Sequence, residues 1–305
     1  MRILVLGAGG TGGYFGGWLA RGGAEITFLV RPKRAEALAR TGLVIRTPEG
    51  EDRFPIRTVT ADTVDGAYDV VVLSCKSYDL DSAVAAITPA VGPETIVVPL
   101  LNGLSHYALL DAAFGAGRVL GGLCHIVASV GPDGEIVRQT ALHRLTFGER
   151  TGGMSDRVRA LAEVCARAPF QTVASETLMQ AAWEKYSFLT AMAGATCLMR
   201  APLGAIVTSP GGDAFMRGLY AETCAVATAA GHAPSATAQQ EALALLTDPA
   251  SASTASMLRD IQAGRATEGQ HILGDMLNRA QAAAIATPLL ALAHLHVQAY
   301  EKQRG

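Results

Sequence analysis

Residues 1–31, "MRILVLGAGGTGGYFGGWLARGGAEITFLVR", decide how the whole chain is read. The run up to Leu6 is apolar without alternation, the pattern of a strand covered on both faces. Seven glycines then fall between Gly7 and Gly17, and a second strand-like run, "EITFLV" (25–30), follows after a gap long enough for one helix. Strand, glycine turn, helix and strand in that order predict a βαβ unit.

Gly7-Ala8-Gly9-Gly10-Thr11-Gly12 fits G-x-G-x-x-G. In that pattern the first glycine permits the tight turn, the second lets backbone approach a pyrophosphate, and the third lets the helix pack closely on the strand. The helix N-terminus turns amide groups and a partial positive charge toward the phosphates. The motif alone is weak; its place between a buried-type strand and a helix makes dinucleotide binding the expectation. The end of the second strand then selects the cofactor. An NAD site usually carries Asp or Glu there, whereas this chain has Arg31, with Lys33 and Arg34 close behind. A carboxylate repels a 2′-phosphate and a guanidinium pairs with it, so NADP(H) is expected. A solvated basic loop would explain the charges but not the missing acid.

At 305 residues the chain is long enough for two domains. With 25 basic and 27 acidic side chains it has no electrostatic footprint for nucleic acid or an anionic membrane, which favours a small-molecule partner. The apolar run at the N-terminus breaks too early for a signal segment or a membrane span. The five cysteines are scattered without a CxxC pair, so neither a disulfide framework nor a zinc site is expected, and the chain is placed in the cytoplasm.

Further strand-like runs fall at 43–46, 53–59, 69–75, 95–100, 118–123 and 170–175, alternating with helical stretches, which reads as a mostly parallel Rossmann-type sheet. Beyond about residue 175 the pattern turns helical, punctuated by Pro202, "SPGGD" (209–213), "GHAPSA" (231–236) and Pro288. The expected class is α/β: an NADP-binding domain over 1–174 followed by an all-helical substrate and dimerisation domain over 175–305, with a homodimer as the expected assembly.

Three later strings carry a family resemblance: "LSCKSYDLDSAV" with Lys76, "LLNGLSH" with Asn102 and Gly103, and "SMLRDIQAGRATEGQHILG" with Ser256 and Glu268. Together with the glycine loop and "FLVR", they make the chain resemble the ketopantoate reductase (2-dehydropantoate 2-reductase) family over essentially its whole length. The resemblance implies NADPH-dependent reduction of a 2-oxo acid to a 2-hydroxy acid, ketopantoate to pantoate in pantothenate biosynthesis. It also implies that Lys185, in "AAWEKYSFLTAMAG", is the catalytic lysine. A Lys in a partly closed site can protonate the oxygen that gains charge as hydride reaches the carbonyl carbon; the alternative is an ordinary Lys on an amphipathic helix. Lys76, at the ligand edge of its strand, is expected to contact the cofactor ribose or the substrate carboxylate, or else to be a surface lysine. Asn102 is expected to bridge cofactor and substrate, or else Asn102-Gly103 is a bare turn. Glu268 resembles the family's cofactor-side glutamate and Ser256 its substrate-carboxylate contact.

The chain also departs from that family. Positions at which the family carries substrate-binding Asn residues hold Leu189, Ala193 and Leu203 here, and the family's "EID" has become Glu268-Gly269-Gln270. A site built for a substrate hydroxyl rejects analogues lacking it, and an apolar wall has no such leverage. A different 2-oxo acid or another small ketone therefore stays open beside ketopantoate, as does a nonenzymatic NADPH-binding regulator. No metal site is expected: His294 and His296, two residues apart on a helix, face different directions.

Overall fold

The computed structural model describes residues 1–304, and by contacts the chain divides into two compact units. The first comprises Met1–Leu101 and His106–Leu178; the second comprises Asn102–Ser105 and the residues from Met179 on.

The first unit is built on strand β1 (Arg2–Leu6). Its Ile3, Leu4 and Val5 are at most 1% exposed, as a central strand covered on both faces requires. Helix α1 (Gly10–Arg21) leads to β2 (Glu25–Leu29) and α2 (Pro32–Thr41), and then to β3 (Leu43–Thr47), β4 (Gly50–Phe54) and β5 (Arg57–Val59). After β6 (Val70–Leu73) come α3 (Leu80–Ile87), β7 (Ile96–Pro99) and α4 (His106–Phe114). The unit finishes with β8 (Gly121–His125), β9 (Ala128–Val130), β10 (Ile136–Arg138), β11 (Arg144–Gly148), α5 (Asp156–Cys165) and β12 (Gln171–Ala174).

Five strands form an all-parallel sheet in the order β5-β2-β1-β6-β7. The strand order reverses at β1, since β2 lies on one side of it and β6 on the other. The crevice beyond the carboxyl ends of β1 and β6 is the place where such sheets take ligands.

The remaining strands pair in two smaller sheets, β4-β3-β10-β9 and β12-β11-β8. The single strand expected at 53–59 is two. Pro55, which has no N–H to give to a ladder, separates β4, antiparallel to β3, from β5 on the edge of the parallel sheet. Strands β9, β10 and β11 have no counterpart in the sequence expectations. The first two are only three residues long, too short to carry a period, and their turn closes through Gly131 N–H donating to the Glu135 carbonyl at 2.8 Å.

The second unit is helical: α6 (Leu178–Met199), α7 (Leu203–Thr208), α8 (Gly212–Ala229), α9 (Ala236–Leu246), α10 (Ser256–Gln262), one turn of π-helix (Gln270–Gly274), α11 (Asp275–Ala282) and α12 (Pro288–Arg304). Breaks fall at Pro202, at Gly211 with φ +81°, in 231–235 and before Pro288. Helix α6 is its central rod. Trp183, Tyr186, Ser187, Thr190, Ala191, Ala193, Ala195, Thr196 and Cys197 are all buried, so burial extends around the helix instead of following one stripe. No helix among the described residues is long and apolar enough to cross a membrane.

Candidate functional site

At the switch point of the parallel sheet the chain leaves β1 through Gly7, whose φ of +92° is open to glycine at no steric cost. A Cβ on Gly12, in the first turn of α1, would fall 2.0 Å from Ser74 Oγ and 2.5 Å from the Gly7 carbonyl. Ser74 follows β6 and donates to the Leu6 carbonyl at 2.8 Å, so the missing side chain is what lets helix, loop and strand end meet. A Cβ on Gly9 would meet nothing within 4 Å. That glycine borders open space.

The space is a cavity of about 770 Å³ lined by Gly7, Ala8 and Gly9 together with Arg31, Arg34, Ser74, Lys76, Asp62 and Asp79, among others. Gly10 and Thr11 begin α1 behind this wall, and Gly10 lies against the Ala128 carbonyl of β9. Arg31 is exposed and pairs with Asp79 at 3.3 Å. Arg34 differs. Its guanidinium reaches the carbonyls of Ala8 at 3.1 Å and Gly134 at 2.7 Å, tying the glycine loop to the β9–β10 turn, and burial lowers its pKa. Lys76, half-buried, reaches the cavity from the segment after β6.

The groups therefore fit a dinucleotide: a glycine without a Cβ at open space, a helix start beside it, and three cationic side chains around the same cavity.

The second cluster belongs to the helical unit. Lys185 stands half-buried on α6, and its Nζ donates to Oδ1 of Asn102 at 3.1 Å. Asn102 opens the turn Asn102–Ser105, which groups with this unit although it follows β7 in sequence. From the far end of the chain the π-turn brings His271, whose Nδ1 lies 2.7 Å from Ser105 Oγ. Burial holds the pKa of His271 below the ordinary value, against the opposing pull of Glu268. Glu268, 6% exposed, lies two residues before the π-turn. The structure thus brings Lys185, Asn102, Ser105, His271 and Glu268 into one neighbourhood. Sequence reasoning missed His271 and Ser105; their only local signal is membership of strings already singled out.

Ser256 begins α10 directly after Ala255, whose N–H donates to Thr196 Oγ1 of α6 at 3.4 Å. The apolar positions separate. Lys185, Phe188, Leu189 and Met192 form a half-buried stripe at helical spacing, whereas Ala193 and Leu203 are each 1% exposed. No group of three or more His, Cys, Asp or Glu suited to a metal ion forms among the described residues.

Two family models match the chain, one described as Ketopantoate reductase PanE/ApbA over residues 3–152 and one as its C-terminal counterpart over residues 177–301. An uncharacterized oxidoreductase of Bacillus subtilis, YkpB, is 37% identical over 304 residues, covering 100% of both chains. A 2-dehydropantoate 2-reductase of Halobacterium salinarum is 30% identical over 295 residues and covers 95% of each. Among solved structures, a PanE/ApbA family ketopantoate reductase from Ralstonia eutropha has a TM-score of 0.89 at 25% identity, with 100% of this chain and 99% of that one covered.

Proposed function

The chain belongs to the ketopantoate reductase family of oxidoreductases, and from that premise we propose that it reduces the ketone of a 2-oxo acid with NADPH, with Lys185 as proton donor. The observation that carries this reading is the Lys185–Asn102 hydrogen bond of 3.1 Å: an ammonium held by a neutral amide is oriented without being neutralised. A bound nicotinamide supplies the hydride. Lys185 supplies the proton at the carbonyl oxygen as negative charge develops there, so that ketone, hydride and proton together give the alcohol. Asn102 keeps the ammonium aimed, and its amide N–H₂ has donors to offer a substrate or ribose oxygen.

Gly7, Ala8, Gly9 and the start of α1 at Gly10, Thr11 and Gly12 would hold the cofactor pyrophosphate. Arg31 favours NADP(H) over NAD(H). A guanidinium has five N–H donors, and the pairing with Asp79 leaves donors on its exposed side for a 2′-phosphate. Lys76 and Arg34 add positive charge to the same cavity. Glu268 is assigned to the cofactor side and Ser256 to the substrate carboxylate.

A second reading concerns the substrate. The stripe beside Lys185 is Phe188, Leu189 and Met192, with no side-chain amide or hydroxyl, so a 2-oxo acid with an apolar side chain suits it better than the hydroxylated ketopantoate. The deciding experiment follows NADPH oxidation by purified protein with ketopantoate and with 2-oxo acids lacking its hydroxyl. Turnover of ketopantoate at least as efficient as that of the others removes the second reading. Absence of turnover with every 2-oxo acid removes the first.

A further inference from the structure

The π-turn at Gln270–Gly274 carries a side chain that the function above does not use. Adding a residue to one helical turn spoils hydrogen-bond geometry; where such a turn persists, it re-aims a side chain or frees a carbonyl, frequently at functional sites. Both occur here. Tyr186 of α6, 1% exposed, donates its hydroxyl to the Ile272 carbonyl at 2.8 Å and also reaches the Asp275 carboxylate at 3.0 Å, which pins the π-turn to the central helix. His271 then points at the Asn102–Ser105 turn. Its Nδ1 lies 2.7 Å from Ser105 Oγ. Gly103 has φ +81°, and a Cβ there would come within 3.1 Å of the ring. One imidazole thus lies against two of the turn's four residues, Gly103 and Ser105, and the first residue of the same turn, Asn102, accepts from Lys185 Nζ.

We infer that His271 is a positioning residue for proton transfer: it grips the Asn102–Ser105 turn and thereby fixes the amide oxygen that aims the Lys185 ammonium. The neighbouring residues on the chain agree with that role. Burial favours the neutral ring, which can take the Ser105 hydroxyl on Nδ1. A larger side chain at 103 would push the ring off the turn. The π-turn sets the ring at its angle, and Tyr186, next to Lys185 in sequence, ties that turn to the helix bearing the proton donor.

The inference rests on Lys185 being the proton donor, so the test has one arm that needs no turnover. In His271→Ala, kcat should fall about 10- to 100-fold, the scale of a misaimed catalytic group, with NADPH affinity unchanged and KM little affected. The alkaline limb of the kcat profile should move to lower pH, because an ammonium whose acceptor is no longer held in place loses part of its advantage over the neutral form. His271→Asn, whose amide can still meet Ser105, should recover part of the rate. In parallel, the rate at which an amine-selective reagent labels Lys185 is followed against pH by mass spectrometry. A labelling profile displaced to lower pH in His271→Ala supports the positioning role even if no 2-oxo acid is reduced by any form of the protein. A folded, NADPH-binding His271→Ala whose Lys185 labelling profile matches the wild type overturns it. Should His271→Ala fail to fold, Ser105→Ala, which removes one hydroxyl, carries the same comparison with the same two outcomes.

Discussion

Two turns that follow strands of the parallel sheet are built in opposite ways. The one after β1, Gly7–Gly12, is shaped by its own backbone: a positive φ at Gly7, and at Gly12 a missing Cβ that Ser74 and the Gly7 carbonyl would otherwise strike. The one after β7, Asn102–Ser105, is held by side chains from elsewhere. Lys185 is 83 positions away from Asn102, and His271 is 166 positions away from Ser105. A site made of backbone is written in adjacent residues. A site made of side chains is assembled only when the helices pack.

The largest expected effect tests the second turn. Lys185→Ala should lower kcat by about 10²- to 10⁴-fold, the range of a general acid, while fluorescence titration finds NADPH bound as before. If turnover persists, the side-chain cluster is not the proton-transfer site and the comparison collapses to a single functional turn.

Next come two glycines of the first turn that should fail differently. Gly12→Ala drives a methyl into Ser74 and the Gly7 carbonyl and should cost about 1–3 kcal/mol, read as a fall in Tm, along with cofactor affinity. Gly9→Ala meets no protein atom and sits at φ −87°, so Tm should hold while NADPH binding weakens. Equal losses of Tm in both would mean that Gly9 is structural.

The two arginines divide the same way. Arg31→Ala breaks only an exposed pair, worth little to stability, yet should narrow the preference for NADPH over NADH by about tenfold or more, the scale of one charge-assisted contact. Arg34→Ala removes two hydrogen bonds to the carbonyls of Ala8 and Gly134 and should lower Tm as well. Unchanged cofactor preference in Arg31→Ala would shift the choice to Arg34 or Lys76.

The smallest effect is acid sensitivity. His143, His271, His294 and His296 are all held below the ordinary 6.5, with burial as the leading cause. The unfolded chain titrates them near that ordinary value, so below it the unfolded state binds more protons than the folded one. The stability they supply is therefore complete above about pH 6.5 and is lost as pH falls through the window beneath it. Urea midpoints on either side of pH 6.5 should decline toward acid. Three of the four histidines lie in the helical unit, so hydrogen exchange should loosen there first.

The parallel β-α-β core was legible because its signals are local. The unbroken apolar run of β1, the glycine spacing and the helix breaks at Pro202 and Pro288 each act within a few residues. The small sheets were not legible: Pro55 moves the chain from one sheet to another, and β9 and β10 are too short to show a period.

The same division runs through the site. Sequence alone determined the glycine loop and the basic residue after β2, because backbone conformation and charge type are properties of the residue itself; the candidate lysine came from the resemblance to the family. Only the tertiary structure decided that Arg34 ties the loop down while Arg31 stands exposed. It also decided that Ala193 and Leu203 are buried where Leu189 is not, and that a π-turn carries His271 to Ser105. Those are facts of direction and distance between segments far apart in the chain, and they are set by how helices pack, which no local pattern encodes.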